Sequence, residues 1–182
     1  VLWAFAAALL MVAGAAAAPE DLRLVEAVKN QDVQQARALI SRHPDVNARS
    51  GDGSTALLWA AHWNDLQTAD LLVRAGADAN AANDFRMTPL ARACTNGSAA
   101  FVDVLLKAGA NPNTPIGTGE TPLMTCARTG SVDAVRMLLV RGADVNAAEP
   151  NQNQTALMWA AAQRHQKVVQ ALVEANADLR AH

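Results

Sequence analysis

Four near-copies of one seven-residue phrase recur along the chain at an almost constant interval. The copies begin at Thr55, Thr88, Thr121 and Thr155 and read TALLWAA, TPLARAC, TPLMTCA and TALMWAA, so their threonines are 33, 33 and 34 residues apart. A second series, formed by Asn47, Asn80, Asn113 and Asn146, recurs every 33 residues. Two independent series with one period predict a repeat array, in which each unit contacts only its neighbours.

Each copy is predicted to contain two short helices and a connecting loop. Thr88 and Thr121 precede prolines, a pattern typical of a capping residue followed by the first helical position. Each copy closes 21 residues after its threonine, on Gly76, Gly109, Gly142 or Asn176, which predicts a left-handed residue at a helix end. Apolar residues at helical spacing mark the second helix and should form the shared core: Ala69, Leu72, Val73, Val102, Leu105, Leu106, Val135, Leu138, Leu139, Val169, Leu172 and Val173.

An upstream segment fits the same template without the threonine phrase. Its apolar residues also have helical spacing, and it ends on Asp45-Val46-Asn47, which places His43 at the glycine position. We therefore expect a degenerate first repeat over residues 21–47, followed by full repeats starting near residues 51, 84, 117 and 150. A terminal repeat of a solenoid is commonly atypical in this way.

The pattern resembles the ankyrin repeat, whose signature combines a G-x-T-P-L-H-x-A-A helix start with a G-A-D-x-N closing turn. The resemblance covers about residues 21–182. It implies an all-α, ankyrin-type solenoid of stacked helix-turn-helix repeats with hairpin-like loops along one edge. It also implies binding as the activity, since ankyrin arrays are overwhelmingly protein-recognition scaffolds.

The chain departs from that signature in three respects. The histidine after T-P-L is replaced by an apolar residue in all four copies, so apolar packing should take the place of its hydrogen bond: Leu58, Ala91, Met124 and Met158. The loop glycine is kept as Gly53 and Gly119 but is Arg86 in the second full copy. The last loop, which includes residues 149–154, is one residue longer. We expect the Arg86 loop and the last loop to deviate from the regular hairpin.

Residues 1–18 form an uncharged apolar run that ends in small residues, as the hydrophobic and cleavage regions of a secretory signal do. We expect cleavage near Ala17 or Ala18 and an exported protein, periplasmic or secreted. The alternatives are an uncleaved membrane anchor and a buried core helix. At the other end, Val168, Val169, Leu172 and Val173 are expected to be exposed, which suggests either a further repeat or a partner on that face.

Composition and cysteine positions narrow the chemistry further. Fifteen Lys and Arg residues are spread along a chain of net charge −2 without a basic run, so nucleic-acid binding is not expected.

Cys94 is six residues after its threonine and Cys126 five, so they occupy different packing sites on adjacent helices. Because stacked helices rarely bring such Cα atoms within about 7 Å, two buried thiols are expected rather than a disulfide.

Candidate contacts lie at the loop tips and at the end of each first helix, which are the exposed, variable sites of an ankyrin-like stack. Trp63 and Phe85 are the sharpest candidates, because large rings with few rotatable bonds form binding hot spots. The alternative is that either ring folds back onto its own repeat, and Trp59 and Trp159 are expected to be core more often than contact. The predicted partner-binding residues are Asp52, His62, Trp63, Asp84, Phe85, Asn96, Glu120, Arg128, Asn151 and Gln163.

Catalysis finds little support in the sequence. The four histidines fall in different repeats and match no metal-ligand spacing, and no glycine-rich phosphate loop follows a strand. We expect a monomeric, non-catalytic scaffold without a cofactor, which binds a protein partner through its concave face and loop tips. The alternative is the N-terminal scaffold of a larger exported protein whose catalytic domain lies beyond residue 182.

Overall fold

The helices of this chain come in pairs. A computed structural model describes residues 20–180, and within that range ten helices follow one another without an intervening strand. They are α1 (Glu20–Lys29), α2 (Val33–Ile40), α3 (Ala56–Trp63), α4 (Leu66–Arg74), α5 (Pro89–Thr95), α6 (Ala99–Lys107), α7 (Pro122–Thr129), α8 (Val132–Val140), α9 (Ala156–Ala162) and α10 (Gln166–Glu174). The signal-like segment over residues 1–18 lies outside the described residues, so its assignment stays a prediction.

The odd-numbered helices form an inner row and the even-numbered helices an outer row. Each helix packs against the other member of its pair and against the next helix of its own row. The inner row is the more tightly packed, because fully buried alanines stand between its helices: Ala60, Ala93, Ala127 and Ala160. Closer approach on one side bends the stack toward that side, so the inner row lines the concave face. The predicted all-α solenoid is confirmed.

The four repeated threonines begin the inner helices α3, α5, α7 and α9. Each hydroxyl oxygen accepts a hydrogen bond from the backbone N–H three residues later, at 3.2 to 3.4 Å. The residues that replace the family's histidine supply apolar packing, as expected. Leu58, Ala91 and Met124 are buried, and Met158 is half-buried.

The predicted apolar stripe of the outer helices forms the core. Leu72, Val102, Leu105, Val135, Leu138 and Leu172 are fully buried there. The expectation that the last helix exposes four apolar residues is wrong for Val168 and Leu172, which are fully buried against the preceding helices. Of that set, Val169 is half-buried and Val173 is exposed.

The asparagine series ties each repeat to the next. The side-chain amide of Asn113 donates to the carbonyl of Gly142 at 2.9 Å, and its oxygen accepts from the N–H of Asp144 at 2.8 Å. Asn47, Asn80 and Asn146 make the same pair of bonds in the other repeats. The acceptor carbonyls belong to the predicted left-handed residues, whose φ angles are positive: Gly76, Gly109, Gly142 and Asn176. Because each asparagine binds the backbone at the left-handed residue of the next repeat, the asparagines and the left-handed residues recur together along the chain.

The Arg86 loop keeps the regular turn, contrary to expectation. Arg86 adopts the left-handed conformation with φ of 58°, and its N–H donates to the carbonyl of Asn83 at 2.8 Å. The N–H of Gly53 makes the equivalent bond to the carbonyl of Ser50, also at 2.8 Å. The side-chain oxygen of Asn83 also accepts from the N–H groups of Phe85 and Met87, and these bonds hold the strained backbone in place.

The last loop deviates as expected. The longer side chain of Glu149 spans the extra residue, because its carboxylate accepts from the N–H groups of Asn151, Gln152 and Gln154 at 2.7, 2.7 and 3.2 Å. An isolated antiparallel bridge between Ala148 and Thr155 closes the loop. A glutamate thus makes the bonds that the shorter Asn83 makes in the second full copy.

Cys94 and Cys126 form a disulfide, and the expectation of two buried thiols is wrong. Their one-residue offset does separate the two cysteines along their helices. The alanine-lined inner row nevertheless brings helices α5 and α7 so close that the two Cα atoms are 4.6 Å apart, well inside the limit of about 7 Å for a disulfide. The bond joins two neighbouring repeats across 32 residues of chain.

Candidate protein-binding face

The predicted contact residues form two clusters on the concave side. One cluster brings Asp52, His62 and Phe85 around a pocket between α3 and α5. The other joins Glu120, Asn151 and Arg128 around Trp159, between α7 and α9. Asp84 is exposed beside Asp52, whose carbonyl accepts from the N–H of Asp84 at 3.0 Å. Gln163 is exposed and lines neither pocket.

Trp63 and Asn96 occupy a position that ties the inner helices together. The indole N–H of Trp63 donates to the carbonyl of Lys29, the last residue of α1, at 3.0 Å. The side chain of Asn96 donates to the carbonyl of Ala61 at 2.8 Å, and Thr129 donates to that of Cys94 at 3.1 Å. All three donors lie eight residues after their threonine. Trp63 therefore folds back onto the preceding repeat while 42% of it remains exposed.

Phe85 behaves as a loop-tip contact residue should. It is 71% exposed and lies at the lining of the pocket between α3 and α5. The turn around Asn83 fixes its backbone, so the ring is presented from an ordered loop. An exposed ring on a fixed backbone loses little conformational entropy when a partner covers it.

The Trp59 pocket, as we name it, has a volume of about 250 Å³. Its walls on the inner helices are Leu58, Trp59, His62 and Arg92, and the loops contribute Asp52, Ser54, Asn83 and Phe85. The ring of His62 meets that of Trp59 edge to face at 5.4 Å and that of Trp63 at 4.6 Å. The lining thus combines aromatic surface with one cationic side chain.

Two residues that line this pocket each have a hydrogen-bond donor that is buried without a partner. The donors are the indole Nε1 of Trp59 and the guanidinium Nε of Arg92. Neither group can accept a hydrogen bond, so each needs an acceptor. A buried donor that lacks one costs about 1 to 3 kcal/mol, and such groups are rare enough in folded proteins to need an explanation.

The Trp159 pocket, with a volume of about 220 Å³, lies two repeats further along the stack. Glu120, Glu149, Asn151 and Trp159 are among its lining residues. The guanidinium of Arg128 lies over the Trp159 ring, 5.6 Å from its centroid, and its Nη2 is 3.6 Å from Oε2 of Glu120. Here the chain supplies its own carboxylate for the arginine, although Nε of Arg128 and Nε1 of Trp159 are also buried without a partner.

Three titratable groups at these pockets have shifted pKa values. Hydrogen bonds from the hydroxyls of Ser50 and Ser54 lower the pKa of the Asp52 carboxyl. Desolvation lowers the pKa of His62, and the positive charge of Arg92 lowers it further. Burial would raise the pKa of Glu149, but its three backbone N–H donors together bring it below the usual range. Asp52 and Glu149 therefore carry stable negative charges that are already hydrogen-bonded within their loops.

Sequence reasoning missed Arg92 and gave too little weight to Trp59 and Trp159. Both tryptophans are half-buried and line the pockets, so they are neither pure core nor pure surface. A signal was available in the alignment of the four copies, because the fourth residue after each threonine is Trp59, Arg92, Thr125 or Trp159. That position varies in size and charge, whereas its neighbours in the phrase are small or apolar.

Other kinds of site are not found in the part of the chain that the structure describes. Over residues 20–180, no group of three or more His, Cys, Asp or Glu side chains is arranged to hold a metal ion. No helix within the same range is long and apolar enough to cross a membrane.

Comparison with known families agrees with the geometry. A family model described as ankyrin repeats in three copies matches residues 24–116 and again residues 111–182. A search of curated proteins found no match. The two family matches together cover most of the chain and include every helix from α2 to α10. The chain therefore belongs to the ankyrin repeat family, whose members are generally protein–protein interaction modules and typically not enzymes.

Proposed function

We propose that this array is a non-catalytic scaffold that binds a protein partner through its concave face and loop tips. One observation carries the proposal: the concave side presents an exposed ring, Phe85, beside a pocket whose buried donors have no acceptor. Protein interfaces concentrate their binding energy in aromatic and arginine side chains at such pockets. The outer row instead presents solvated ion pairs such as Arg74–Asp70 and Lys107–Asp103.

Affinity capture with the purified protein tests this proposal. The parent is compared with Phe85→Ala, which removes an exposed ring at the pocket, and with Val140→Ala, which shortens an 85% exposed side chain at the end of outer helix α8. We expect a protein that the parent and Val140→Ala both retain and that Phe85→Ala loses. Equal retention by all three would contradict binding at this face.

We also propose that the protein works in an oxidising, exported environment. The disulfide between Cys94 and Cys126 supports this, since such bonds persist in secreted and periplasmic proteins and are rare in the cytosol. The apolar composition of residues 1–18 is consistent with it. N-terminal sequencing of the protein from its native host tests the proposal: a chain starting near residue 18 indicates export with cleavage, and an intact start in the membrane fraction supports the anchor instead.

The other proposal for the array, a scaffold that carries a catalytic domain beyond residue 182, is tested separately. Sequencing the gene past codon 182 shows whether a further domain follows. Concave-face binding is expected in either case, so the capture experiment does not depend on that result.

A further inference from the structure

We propose that the Trp59 pocket binds an acidic side chain carried by a linear segment of the protein partner, with Arg92 as its main anchor. The inference rests on the proposed function and adds the chemistry of the bound group. It is carried by the charge of Arg92, which has no carboxylate partner among the described residues, by the contrast with Arg128 in the Trp159 pocket and by the shape of the concave face.

The charge of Arg92 is not neutralised within the described chain. The acidic residue of the pocket, Asp52, accepts from the hydroxyls of Ser50 and Ser54 at 2.6 and 2.9 Å and from the N–H of Ser54 at 3.1 Å. No carboxylate of residues 20–180 lies within ion-pair distance of the Arg92 guanidinium. Its positive charge also lowers the pKa of the neighbouring His62, after desolvation. A guanidinium has five N–H donors and no acceptor, so a carboxylate is its natural ligand.

In the Trp159 pocket the chain supplies a carboxylate for its arginine. Arg128 lies over the Trp159 ring, and the loop residue directly before the capping threonine of its repeat, Glu120, is its acidic partner. The cation in that place over the Trp59 ring is Lys29, 5.6 Å from the centroid, so Arg92 is not the counterpart of Arg128. In the repeat of Arg92 the residue directly before the capping threonine is Met87, which carries no charge. Arg92 therefore has no acidic partner of the kind that Arg128 has, and a carboxylate of the protein partner would supply it.

Size and surroundings favour a side chain over a small metabolite. A volume of about 250 Å³ lies below the range of about 300 to 1,000 Å³ typical of small-molecule sites. Leu58 and the exposed ring of Phe85 add apolar surface beside the charge, which suits an acidic residue next to an apolar one. The inner helices run as one row across the repeats, so a linear segment can lie along them.

Selection from a displayed library of random linear peptides tests the proposal, with the parent protein as bait. We expect the recovered peptides to share an Asp or Glu next to an apolar residue. A synthetic copy with an amidated C-terminus should keep its affinity, whereas replacing its acidic residue by the matching amide should weaken binding about tenfold or more. Peptides without a shared acidic residue, or no enrichment at all, would overturn the proposal. So would binding that depends on a free C-terminal carboxylate.

Variants of Arg92 locate the contact on the protein. Arg92→Gln should weaken binding of the acidic peptide by the same factor and leave binding of the amide peptide unchanged, because the change in the protein and the change in the peptide remove the same interaction. Arg92→Lys keeps the positive charge but loses the planar guanidinium with its paired N–H donors, so its loss of affinity should be smaller than that of Arg92→Gln. The matched control is Arg37→Gln, the same charge change at an exposed position of outer helix α2. Equal effects of Arg92→Gln and Arg37→Gln would overturn the proposal.

The outcomes separate this inference from the proposed function. Peptides that carry no acidic residue but lose binding with Phe85→Ala would support binding at the concave face and contradict the carboxylate contact. Peptides that are insensitive to both Phe85→Ala and Arg92→Gln would contradict both. Thermal melting of each variant, followed by circular dichroism, shows that the fold is kept.

Discussion

The inner and outer rows are built from the same number of helices but stabilise the array in different ways. The outer helices bury leucines and valines inside each repeat, and their exposed faces carry intrahelical ion pairs. The inner helices bury alanines between repeats and add polar ties and a disulfide from one repeat to the next. Both rows contribute to the core, since Leu57, Leu90 and Leu123 of the inner helices are buried as well, and the inner row adds the ties between repeats.

This division explains why the concave side is suited to recognition. Because polar ties and close packing fix the inner helices, side chains such as Trp59 and Arg92 have rigid backbones beneath them. A rigid support reduces the entropy lost on binding. Exposed ion pairs on the outer helices contribute little stability.

The largest expected effect is on the outer row. Leu105→Ala removes a fully buried side chain of α6 and should lower the free energy of unfolding by about 2 to 5 kcal/mol. Val140→Ala, at a position 85% exposed on the same row, should change it by less than about 0.5 kcal/mol. Urea denaturation measures both. Similar small losses for the two variants would show that α6 does not supply the core.

The disulfide links two neighbouring helices of the inner row covalently. Replacing both cysteines, Cys94→Ala with Cys126→Ala, should cost about 2 to 4 kcal/mol, because the bond restricts the unfolded chain over a loop of 32 residues. Reducing agent should lower the denaturation midpoint of the parent and leave the double variant unchanged. Identical midpoints for the oxidised and reduced parent would contradict this role.

The asparagine series gives a smaller effect at the junctions between repeats. Asn113→Ala removes one donated and one accepted hydrogen bond and should cost about 1 to 2 kcal/mol. The matched control is Gln67→Ala on α4, whose exposed side chain makes no hydrogen bond within residues 20–180. Chemical denaturation should separate the two variants, and equal stability would mean that the series does not hold the repeats together.

The smallest effect is a pH dependence in the last loop. Because the folded-state pKa of Glu149 is below its usual value, its carboxylate stabilises the fold above the unfolded-state pKa of about 4.3. That contribution is lost as pH falls through the folded-state value. Glu149→Gln should therefore melt earlier than the parent at pH 7, and the difference should shrink as the pH falls below about 4. A difference that is constant with pH would show that the carboxylate charge is not involved.

The sequence predicted the repeat architecture well because its signals are local. A capping threonine, a proline at the first helical position and a left-handed glycine each act within one turn, so Thr88, Pro89 and Gly109 could be placed without knowing the neighbouring repeats. The regular turn at Arg86 was missed because the bonds made by Asn83 and the remainder of the loop compensate for the missing glycine.

Features that depend on the distance between repeats were harder to predict. Cysteine register argues against the disulfide, but helix spacing decides it, and that spacing follows from alanines on several helices together. The sequence indicates Trp63 as a contact, but only the structure shows its bond to Lys29. The sequence does not single out Arg92, because its lack of a carboxylate partner is a property of the folded neighbourhood.

Hydrogen–deuterium exchange of the protein, free and bound to its captured partner, tests most directly whether the inner row is the binding face. The account predicts slower exchange on binding in α3 and α5 and in the loops around Asp52 and Phe85, with little change in α4 and α6. Protection confined to the outer helices α4, α6 and α8 would contradict it.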